Sequence, residues 1–459
     1  MRQISLNILL VAFFFAIVSC TNTNNNSDPK WQYLFNGTDL TGWVQKNGQA
    51  PYTVSDSVIV GTTINNTPNS FLCTDINYSD FILELEFKVH PSMNSGVQIR
   101  SQSYPEYQEG RVHGYQVEID PSERAFTGGI YDEARRGWLY TLSDDENAAA
   151  RAAFKNGEWN KIRVEAIGNN IKTWVNGVPV ANLYDNVDST GFIALQVHSI
   201  GQDSAMAGRQ IMWKNIKILT ENLEKFTLPS DAKVRSYIVN TLTEQEIAEG
   251  WKLLFDGKSS TGWRKAYGES FPEKGWSIEN GVLSVQPSTG AESQNGGDIV
   301  TMDEYDNFEL LLQAKLTPGA NSGVKYFVTE QEGNSGSAIG LEFQILDDNL
   351  HPDAKLGNHE GSRTLASLYD LIKAYNKRPN GIGEWNNIRI VSKDNHVEHW
   401  LNGFKVLEYE RGSVEFRKLV SESKYKDWKA FGEAEKGHIL LQDHGNEVFF
   451  QSIKIRELN

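Results

Sequence analysis

The chain has 459 residues, of which 39% are hydrophobic, which is enough for two ordinary domains that each bury a core of their own. Its formal net charge of -15 would repel a phosphate backbone or an anionic membrane surface, and no basic stripe offsets it. Composition therefore argues against nucleic acid as a partner.

The first residues have the pattern of an export signal. Arg2 precedes an apolar run, residues 4–18, that is too short and too close to the start for a membrane span. The following I-V-S-C resembles a bacterial lipobox, so Cys20 would become the lipidated first residue; an ordinary signal peptide is the alternative. We expect a lipoprotein signal peptide at 1–20, a polar tether at 21–30, and export to the periplasm or outer membrane of a Gram-negative bacterium. Membrane contact would then be made only through the lipid.

The rest of the chain contains one long repeat. LFNGTDLTGW at 34–43 matches LFDGKSSTGW at 254–263, and further segments match in the same order, including GEWNKIRVEAIGNNIKTWVNG and GEWNNIRIVSKDNHVEHWLNG. A period above two hundred residues indicates a duplicated domain rather than a solenoid, with copies at 31–221 and 250–459. The linker between them, 222–249, contains Thr243 and Glu246 at the spacing of a capping box, which predicts a short helix.

Strand periodicity dominates both copies. Segments such as FILELEFKV, YQVEID and NKIRVEAI are short, alternating and rich in β-branched residues. Asn-Gly in WVNGVPV and WLNGFKV predicts a tight hairpin in each copy. We therefore predict an all-β protein of two tandem jelly-roll sandwiches, in which the longer segments 133–156 and 346–366 form loops or short helices.

Polar side chains recur at every second position of three predicted strands in each copy, and such residues point to one face of a sheet. The pairs are Gln98 with Arg100, Gln116 with Glu118 and Gln196 with His198, matched by Lys325 with Phe327, Glu342 with Gln344 and Gln442 with His444. An ordinary solvated face is the alternative. Amides, imidazoles and single carboxylates instead suit hydrogen bonding to hydroxyl groups, so we expect a binding site on this face.

Several ordered motifs then resemble a known family. LFNG-x-DL-x-GW, NSG, GYQVEI followed by YDEARRGWL, EWN with WVNG, and LQ-x-H are similar to the 3-keto-disaccharide hydrolase domain, which has a concanavalin-A-like lectin/glucanase fold. The resemblance covers nearly all of both copies. It implies a curved jelly roll whose concave face binds an oligosaccharide or 3-keto-glycoside and cleaves glycosides that are oxidised to a ketone at C3.

The two copies differ at the positions that would carry this chemistry. Glu118 stands where the second copy has Gln344, Gln116 where it has Glu342, and Val197 where it has Asp443. The sequence therefore leaves open whether both copies catalyse the same step.

A ketone at C3 acidifies the C2 proton, so cleavage needs a base near C2, a group that polarises the ketone and a proton donor for the leaving oxygen. The catalytic candidates are Glu342, His444 and Asp370 in the second copy and Glu118, His198 and Asp132 in the first. The substrate-binding candidates are Gln344, Gln442, Lys325, Tyr369, Gln98, Arg100, Gln116, Gln196, Tyr131, Arg135 and Trp138.

Three other interpretations stay open. A divalent metal would be the polariser if His351, Asp353 and His359 bind one, although their spacing fits no standard zinc motif and no other cofactor is indicated. Glu118, Asp120 and Glu123 have the spacing of laminarinase-type retaining glycosidases, with Pro121 interrupting the strand. A non-catalytic carbohydrate-binding protein would use Trp138 as a stacking platform.

Overall fold

The computed structural model describes residues 28–288, 295–330, 339–428 and 430–458. None of the helices in these ranges is long and apolar enough to cross a membrane. The predicted signal peptide, Cys20 and residues 21–27 of the tether lie outside the described residues, so anchoring stays a prediction.

The first copy and the linker contain sixteen strands among the described residues. They are β1 Gln32–Tyr33, β2 Trp43–Asn47, β3 Tyr52–Ser55, β4 Val58–Thr62, β5 Ser70–Thr74, β6 Phe81–Val89, β7 Ser95–Ser101, β8 Gly114–Ile119, β9 Ile130–Glu133, β10 Gly137–Tyr140, β11 Asn160–Ile167, β12 Asn170–Val175, β13 Val178–Tyr184, β14 Phe192–Val197, β15 Gln210–Leu219 and β16 Val234–Ser236. One sheet has the order β16-β13-β12-β11-β6-β15-β4-β3, with β1 beside β15, and the other has the order β10-β9-β8-β7-β14-β5-β2.

The second copy has thirteen strands in the described ranges. They are β17 Lys252–Leu253, β18 Trp263–Lys265, β19 Trp276–Glu279, β20 Val282–Val285, β21 Ile299–Thr301, β22 Phe308–Leu316, β23 Asn321–Thr329, β24 Ile339–Leu346, β25 Trp385–Lys393, β26 His396–Leu401, β27 Phe404–Glu410, β28 His438–Leu441 and β29 Val448–Glu457. They form sheets of order β19-β20-β29-β22-β25-β26-β27, with β17 beside β29, and β18-β21-β28-β23-β24.

Alternation along the strands builds the core of each sandwich. Val97, Val117 and Leu195, the neighbours of the polar pairs, are fully buried and belong to one apolar cluster between the sheets of the first copy. The predicted two-sandwich, all-β architecture is confirmed. Both predicted hairpins also form, and Asn176-Gly177 and Asn402-Gly403 have the positive φ angles that a two-residue type I′ turn requires.

Three short α-helices complete the described chain: α1 Ala148–Ala153, α2 Glu244–Ala248 and α3 Val414–Ser421. The predicted linker helix is α2, and its capping box forms because Thr243 Oγ1 accepts from the Glu246 amide at 3.1 Å while Glu246 Oε2 accepts from the Thr243 amide at 2.9 Å. The linker also adds β16 in parallel to β13. It is therefore built into the first sandwich.

Ion pairs join the two sandwiches around a cavity of about 100 Å³. Arg389 of the second sandwich contacts Asp144 of the first at 2.8 Å and Glu309 of its own domain at 2.6 Å. Lys233 of the linker contacts Glu309 at 3.1 Å, and Arg456 does so at 2.6 Å. Glu309 is therefore a buried carboxylate surrounded by three cations where the two domains meet.

Candidate active site

A cavity of about 330 Å³ opens on the seven-stranded sheet of the first domain, within the size range of small-molecule sites. It is lined by Asn69, Asn94, Arg111, Gln116, Glu118, Arg124, Tyr131, Glu133, Trp138 and His198. Five of these ten were predicted as site residues: Gln116, Glu118, Tyr131, Trp138 and His198. The predicted polar face is therefore the floor of a cavity.

Strand register explains why these side chains meet. Tyr131 lies directly opposite Gln116, and Glu133 lies opposite Gly114, so β8 and β9 present their polar side chains on the same side. Gln98 on β7 lies directly opposite Gln116 on β8 and is fully buried. Glu118, two residues after Gln116, faces the same way.

A chain of hydrogen bonds orients Glu118. Ser101 Oγ donates to Gln98 Oε1 at 2.6 Å, Gln98 Nε2 donates to Gln116 Oε1 at 2.7 Å, and Gln116 Nε2 donates to Glu118 Oε2 at 2.9 Å. Asn94 Nδ2 donates to the other carboxylate oxygen at 2.7 Å, and Arg124 lies 3.7 Å from it. The carboxyl group is thus fixed in position by its neighbours.

Burial raises the pKa of Glu118 to about 7, although the hydrogen bonds from Asn94 and Gln116 act in the opposite direction. Desolvation penalises the charged carboxylate more than these two amides stabilise it. Near neutral pH the group is therefore present in both its protonated and its ionised form. Such a carboxyl can donate or accept a proton, which is the requirement for general acid-base catalysis.

His198 and Glu133 supply two further titratable groups. His198 Nδ1 lies 2.7 Å from the Ser199 carbonyl oxygen, which can only accept, so Nδ1 carries the proton and Nε2 is the acceptor in the neutral ring. Burial raises the pKa of Glu133, while Asn69 Nδ2, 3.2 Å away, and the nearby Arg111 lower it. Burial, together with Glu133 and Glu118, also raises the pKa of the Tyr131 phenol.

Half of the lining was missed by sequence reasoning. Asn69, Asn94, Arg111 and Arg124 come from loops at separate points of the chain, and no strand periodicity identifies them. Glu133 could have been found, because it lies two residues after Tyr131 on the same strand.

Asp132 and Arg135, which were predicted for the site, lie elsewhere. Asp132 pairs in register with Tyr115, one residue off the polar series, and therefore points to the opposite side of the sheet. It is fully buried, and its carboxylate accepts from Arg135 Nε at 2.9 Å and also contacts Arg136. Arg135 in turn contacts Asp188. We therefore remove Asp132 and Arg135 from the candidate site.

Arg100 is displaced by a β-bulge. At Arg100, which has a φ of 46°, β7 carries one extra residue opposite β14. The alternation of side chains between the two faces therefore breaks after Gln98. Arg100 Nε donates to the Ser79 carbonyl at 2.7 Å, and its guanidinium contacts Asp80 at 2.9 Å. It is a buried structural cation and not a sugar contact, which corrects the prediction. The equivalent Phe327 also has a positive φ, so the bulge is common to both domains.

Gln196 lies on the cavity side of β14 and is fully buried. Both polar atoms of its amide are without a hydrogen-bond partner among the described residues. Buried amides are normally paired, but Gln196 is not among the residues that line the cavity.

The second domain brings its predicted residues together in a different way. Lys325 lies directly opposite Glu342 in the register of β23 and β24, and its Nζ is 3.8 Å from Glu342 Oε2. The Tyr369 hydroxyl donates to Asp353 Oδ2 at 2.8 Å, and Arg363 contacts Asp353 Oδ1 at 2.7 Å. The carboxylate of this copy therefore has an ammonium partner across the strands.

The remaining predicted residues of this domain are largely enclosed. Asp370 is fully buried, and its oxygens accept from Arg363 Nε at 2.7 Å and from the Lys424 amide at 2.8 Å, so we treat it as a positioning residue for Arg363. Gln344 and Gln442 are buried, and His444 is half-buried with its ring 5.7 Å from that of His351.

Asp443, which replaces Val197 in the second copy, has a structural role. Its Oδ2 accepts from the amides of Gly296 and Gly297 at 3.0 and 2.9 Å, and its Oδ1 accepts from the Gly445 amide at 2.9 Å. The side chain is fully buried. Asp443 therefore ties the end of its strand to the backbone at Gly296 and Gly297.

The predicted metal ligands do not converge in the described ranges. Asp353 is engaged by Arg363 and Tyr369, while His359 Nε2 lies 3.4 Å from the Leu419 carbonyl oxygen. A different group, His396, Glu398 and Glu408, has ligand atoms within 4.8 Å of one another, but Lys405 pairs with both carboxylates. That group is therefore a surface cluster whose two carboxylates already have an ammonium partner.

The laminarinase-type arrangement does not form either. Asp120 caps its own loop, accepting from Ser122 Oγ at 2.6 Å and from Arg124 Nε at 2.7 Å, while Glu123 is exposed. Glu118 and Glu123 therefore do not make the facing pair that retaining hydrolysis needs.

Glycine in the repeated NSG motif makes room for the cross-strand side chain. A Cβ atom on Gly96 would lie 2.4 Å from Gln116 Cδ, and one on Gly323 would lie 2.3 Å from Glu342 Oε1.

We expect Gly96→Ala to displace Gln116 and lower turnover about tenfold or more, with about 1–3 kcal/mol lost from overpacking. Michaelis kinetics and thermal unfolding check this. Gly381→Ala, on an exposed loop with its nearest neighbour 4.0 Å from the new Cβ, is the control and should change neither quantity.

A model of the 3-keto-alpha-glucoside-1,2-lyase-like domain family matches residues 30–219 and again residues 250–456. The chain belongs to this family. Membership confirms the resemblance that the repeated motifs indicate, and it accounts for both sandwiches as copies of one family domain. The protein is thus a glycoside hydrolase-like enzyme.

Individual proteins are similar to parts of the chain. A 3-keto-disaccharide hydrolase from Bacteroides thetaiotaomicron is 36% identical over 233 residues, which cover 46% of this chain and 80% of the relative. A crystal structure of a candidate glycosyl hydrolase from Parabacteroides distasonis is 34% identical, covers 48% of this chain and 100% of that chain, and gives a TM-score of 0.43. A second one from the same organism is 32% identical, with coverage of 45% and 99% and a TM-score of 0.36.

Proposed function

We propose that the protein cleaves 3-keto-glycosides and that the cavity of the first domain is the acid-base site. The observation that carries the proposal is Glu118, a buried carboxyl with a pKa of about 7 in a cavity of about 330 Å³. Trp138, which lines the same cavity, offers a half-buried indole for stacking on a sugar ring.

The reaction divides into two balanced steps. In the first, His198 Nε2 accepts the C2 proton, a C1–C2 double bond forms as the glycosidic C1–O bond breaks, and Glu118 protonates the leaving oxygen. In the second, water adds to C1 of the resulting enone and a proton returns to C2. The sum is hydrolysis, with no net oxidation or reduction.

Charge develops on the C3 oxygen while the C2 proton leaves. Arg111 and Arg124 line the cavity and place positive charge on its rim. Preorganised cations in a partly desolvated site stabilise such an enolate more than water does. Asn69, Asn94 and Gln116 supply donors and acceptors that suit sugar hydroxyls.

The second domain reverses the order of amide and carboxylate along its strand. Glu342 faces the ammonium of Lys325 across the strands. We assign the main catalytic step to the first domain, because Glu118 and His198 line one cavity there.

Turnover in D₂O tests the proposed elimination. A 3-keto-disaccharide should give product with deuterium at C2, because the C2 proton exchanges with solvent between the two steps. An unmodified disaccharide should remain intact, since its C2 proton is not acidic. Product without deuterium would contradict elimination, and binding of both sugars with neither cleaved would favour a carbohydrate-binding protein.

A further inference from the structure

A residue of the second domain supports the wall of the first-domain cavity. Phe404 follows the Asn402-Gly403 turn between β26 and β27, and it packs against the apolar core of the first domain. Its ring stacks on that of Phe126, with the centroids 6.1 Å apart. Phe126 is almost fully buried and contacts Trp138 edge-on at 5.2 Å.

Arg124 links the same aromatic residues to the acid-base group. Its guanidinium lies 5.0 Å from the Phe126 ring centroid and 4.9 Å from that of Trp138. The same side chain reaches to 3.7 Å from Glu118. Trp138 and Arg124 both line the cavity, so Phe404 is separated from two ligand-facing side chains by the single ring of Phe126.

The turn itself is fixed to the strand that carries Trp138. The Gly403 carbonyl oxygen accepts from Thr141 Oγ1 at 2.8 Å and from Ser143 Oγ, and Thr141 directly follows β10. On the second-domain side, the Arg378 guanidinium lies 4.4 Å from the Phe404 ring. The hairpin tip is therefore held on both sides.

The first domain has no aromatic residue at the matching position of its own hairpin. After Asn176-Gly177 it has Val178, which packs against the core of its own domain. The aromatic side chain in the second copy is therefore not needed by the shared fold, whereas its stacking on Phe126 is specific to the contact between the domains.

We propose that Phe404 and its turn are a positioning element of the first-domain site, through which the second domain sets the placement of Trp138 and Arg124 and hence the affinity for sugar. This inference rests on the proposed function where turnover is the readout. It gives the duplicated domain a role that needs no chemistry of its own.

The test uses Phe404→Ala and Phe404→Tyr in the full chain, with a 3-keto-disaccharide as the probe. We expect Phe404→Ala to raise KM about tenfold, because the wall that carries Trp138 moves, and to lower kcat as well, because Arg124 moves with it. Phe404→Tyr keeps the ring and should restore KM. Hydrogen exchange of residues 124–140 should rise in Phe404→Ala and return to the wild-type level in Phe404→Tyr.

Lys233→Ala is the matched control, because it removes an ion pair to Glu309 at the domain junction that does not touch Phe126. It should leave KM and exchange in 124–140 unchanged. Wild-type KM and exchange in Phe404→Ala, or equal changes in Lys233→Ala, would overturn the proposal. If the wild-type protein does not turn over the probe, the proposed function fails, and the exchange data alone decide whether Phe404 positions the wall.

Discussion

Glu118→Gln is expected to lower kcat on a 3-keto-glycoside by about 10²- to 10⁴-fold, the contribution typical of a positioned general acid or base. The substitution keeps the shape of the side chain, and its amide oxygen can still accept from one of Asn94 and Gln116, but it removes the proton that the leaving oxygen requires. Glu342→Gln is the matched variant in the second domain and should lose far less activity. Full activity in Glu118→Gln would exclude the assignment.

The pH dependence gives this prediction a second readout. As a proton donor Glu118 acts in its protonated form, and its pKa is about 7, so the wild-type rate should fall as the pH rises through that value. This limb of the profile should persist in Glu342→Gln and be absent from the residual activity of Glu118→Gln.

The Glu118→Gln variant should gain thermal stability above neutral pH although it loses activity. The folded-state pKa of Glu118 lies above its ordinary value of 4.5, so ionising this group costs folding free energy as the pH rises from about 4.5 to about 7. The cost is absent below that window and complete above it. Glu118→Gln should therefore unfold at a higher temperature than the wild-type protein at pH 8, and at a similar temperature at pH 4.

Glu309→Ala is expected to destabilise the junction between the domains by about 3–5 kcal/mol, because it leaves buried cations without their carboxylate. Arg389, Lys233 and Arg456 all contact Glu309, which is 2% exposed. Thermal unfolding at pH 7 measures the loss. Glu457→Ala, which removes an exposed pair with Lys252, is the control and should cost about 0–1 kcal/mol.

Acid should reduce the effect of Glu309→Ala. Burial opposes ionisation of Glu309, but the charges of Arg389, Lys233 and Arg456 outweigh it and hold the pKa well below its usual range. A depressed folded-state pKa stabilises the protein fully above the ordinary value of 4.5, and this contribution is lost as the pH falls below it. The difference between variant and wild-type protein should therefore be largest near neutral pH and shrink at pH 3. A difference that grows on acidification would contradict this interpretation.

Local signals were sufficient for the fold. The Asn-Gly turns, the capping box of Thr243 and Glu246, and the alternation around Val97 and Val117 each depend on contacts within a few residues. Repetition of the same segments two hundred residues apart then indicated two sandwiches. These features follow from backbone sterics and periodicity, which a sequence states directly.

The site was harder to predict from the sequence than the fold, for two physical reasons. Alternation fails at a bulge, which turned Arg100 to a structural position, and register decided that Glu133 rather than Asp132 faces the cavity. The walls also depend on loops such as those carrying Asn94 and Arg124. These residues approach Glu118 only through the tertiary fold. The support that Phe404 provides across the domains has no local signature.

The most direct test of the central claim is a crystal structure of the Glu118→Gln variant with an uncleaved 3-keto-disaccharide. The predicted result is a sugar ring in the first-domain cavity, stacked against Trp138, with its C2–C3 edge toward His198 and its glycosidic oxygen toward position 118. A sugar bound only in the second domain, or outside the cavity on the first, would contradict the account.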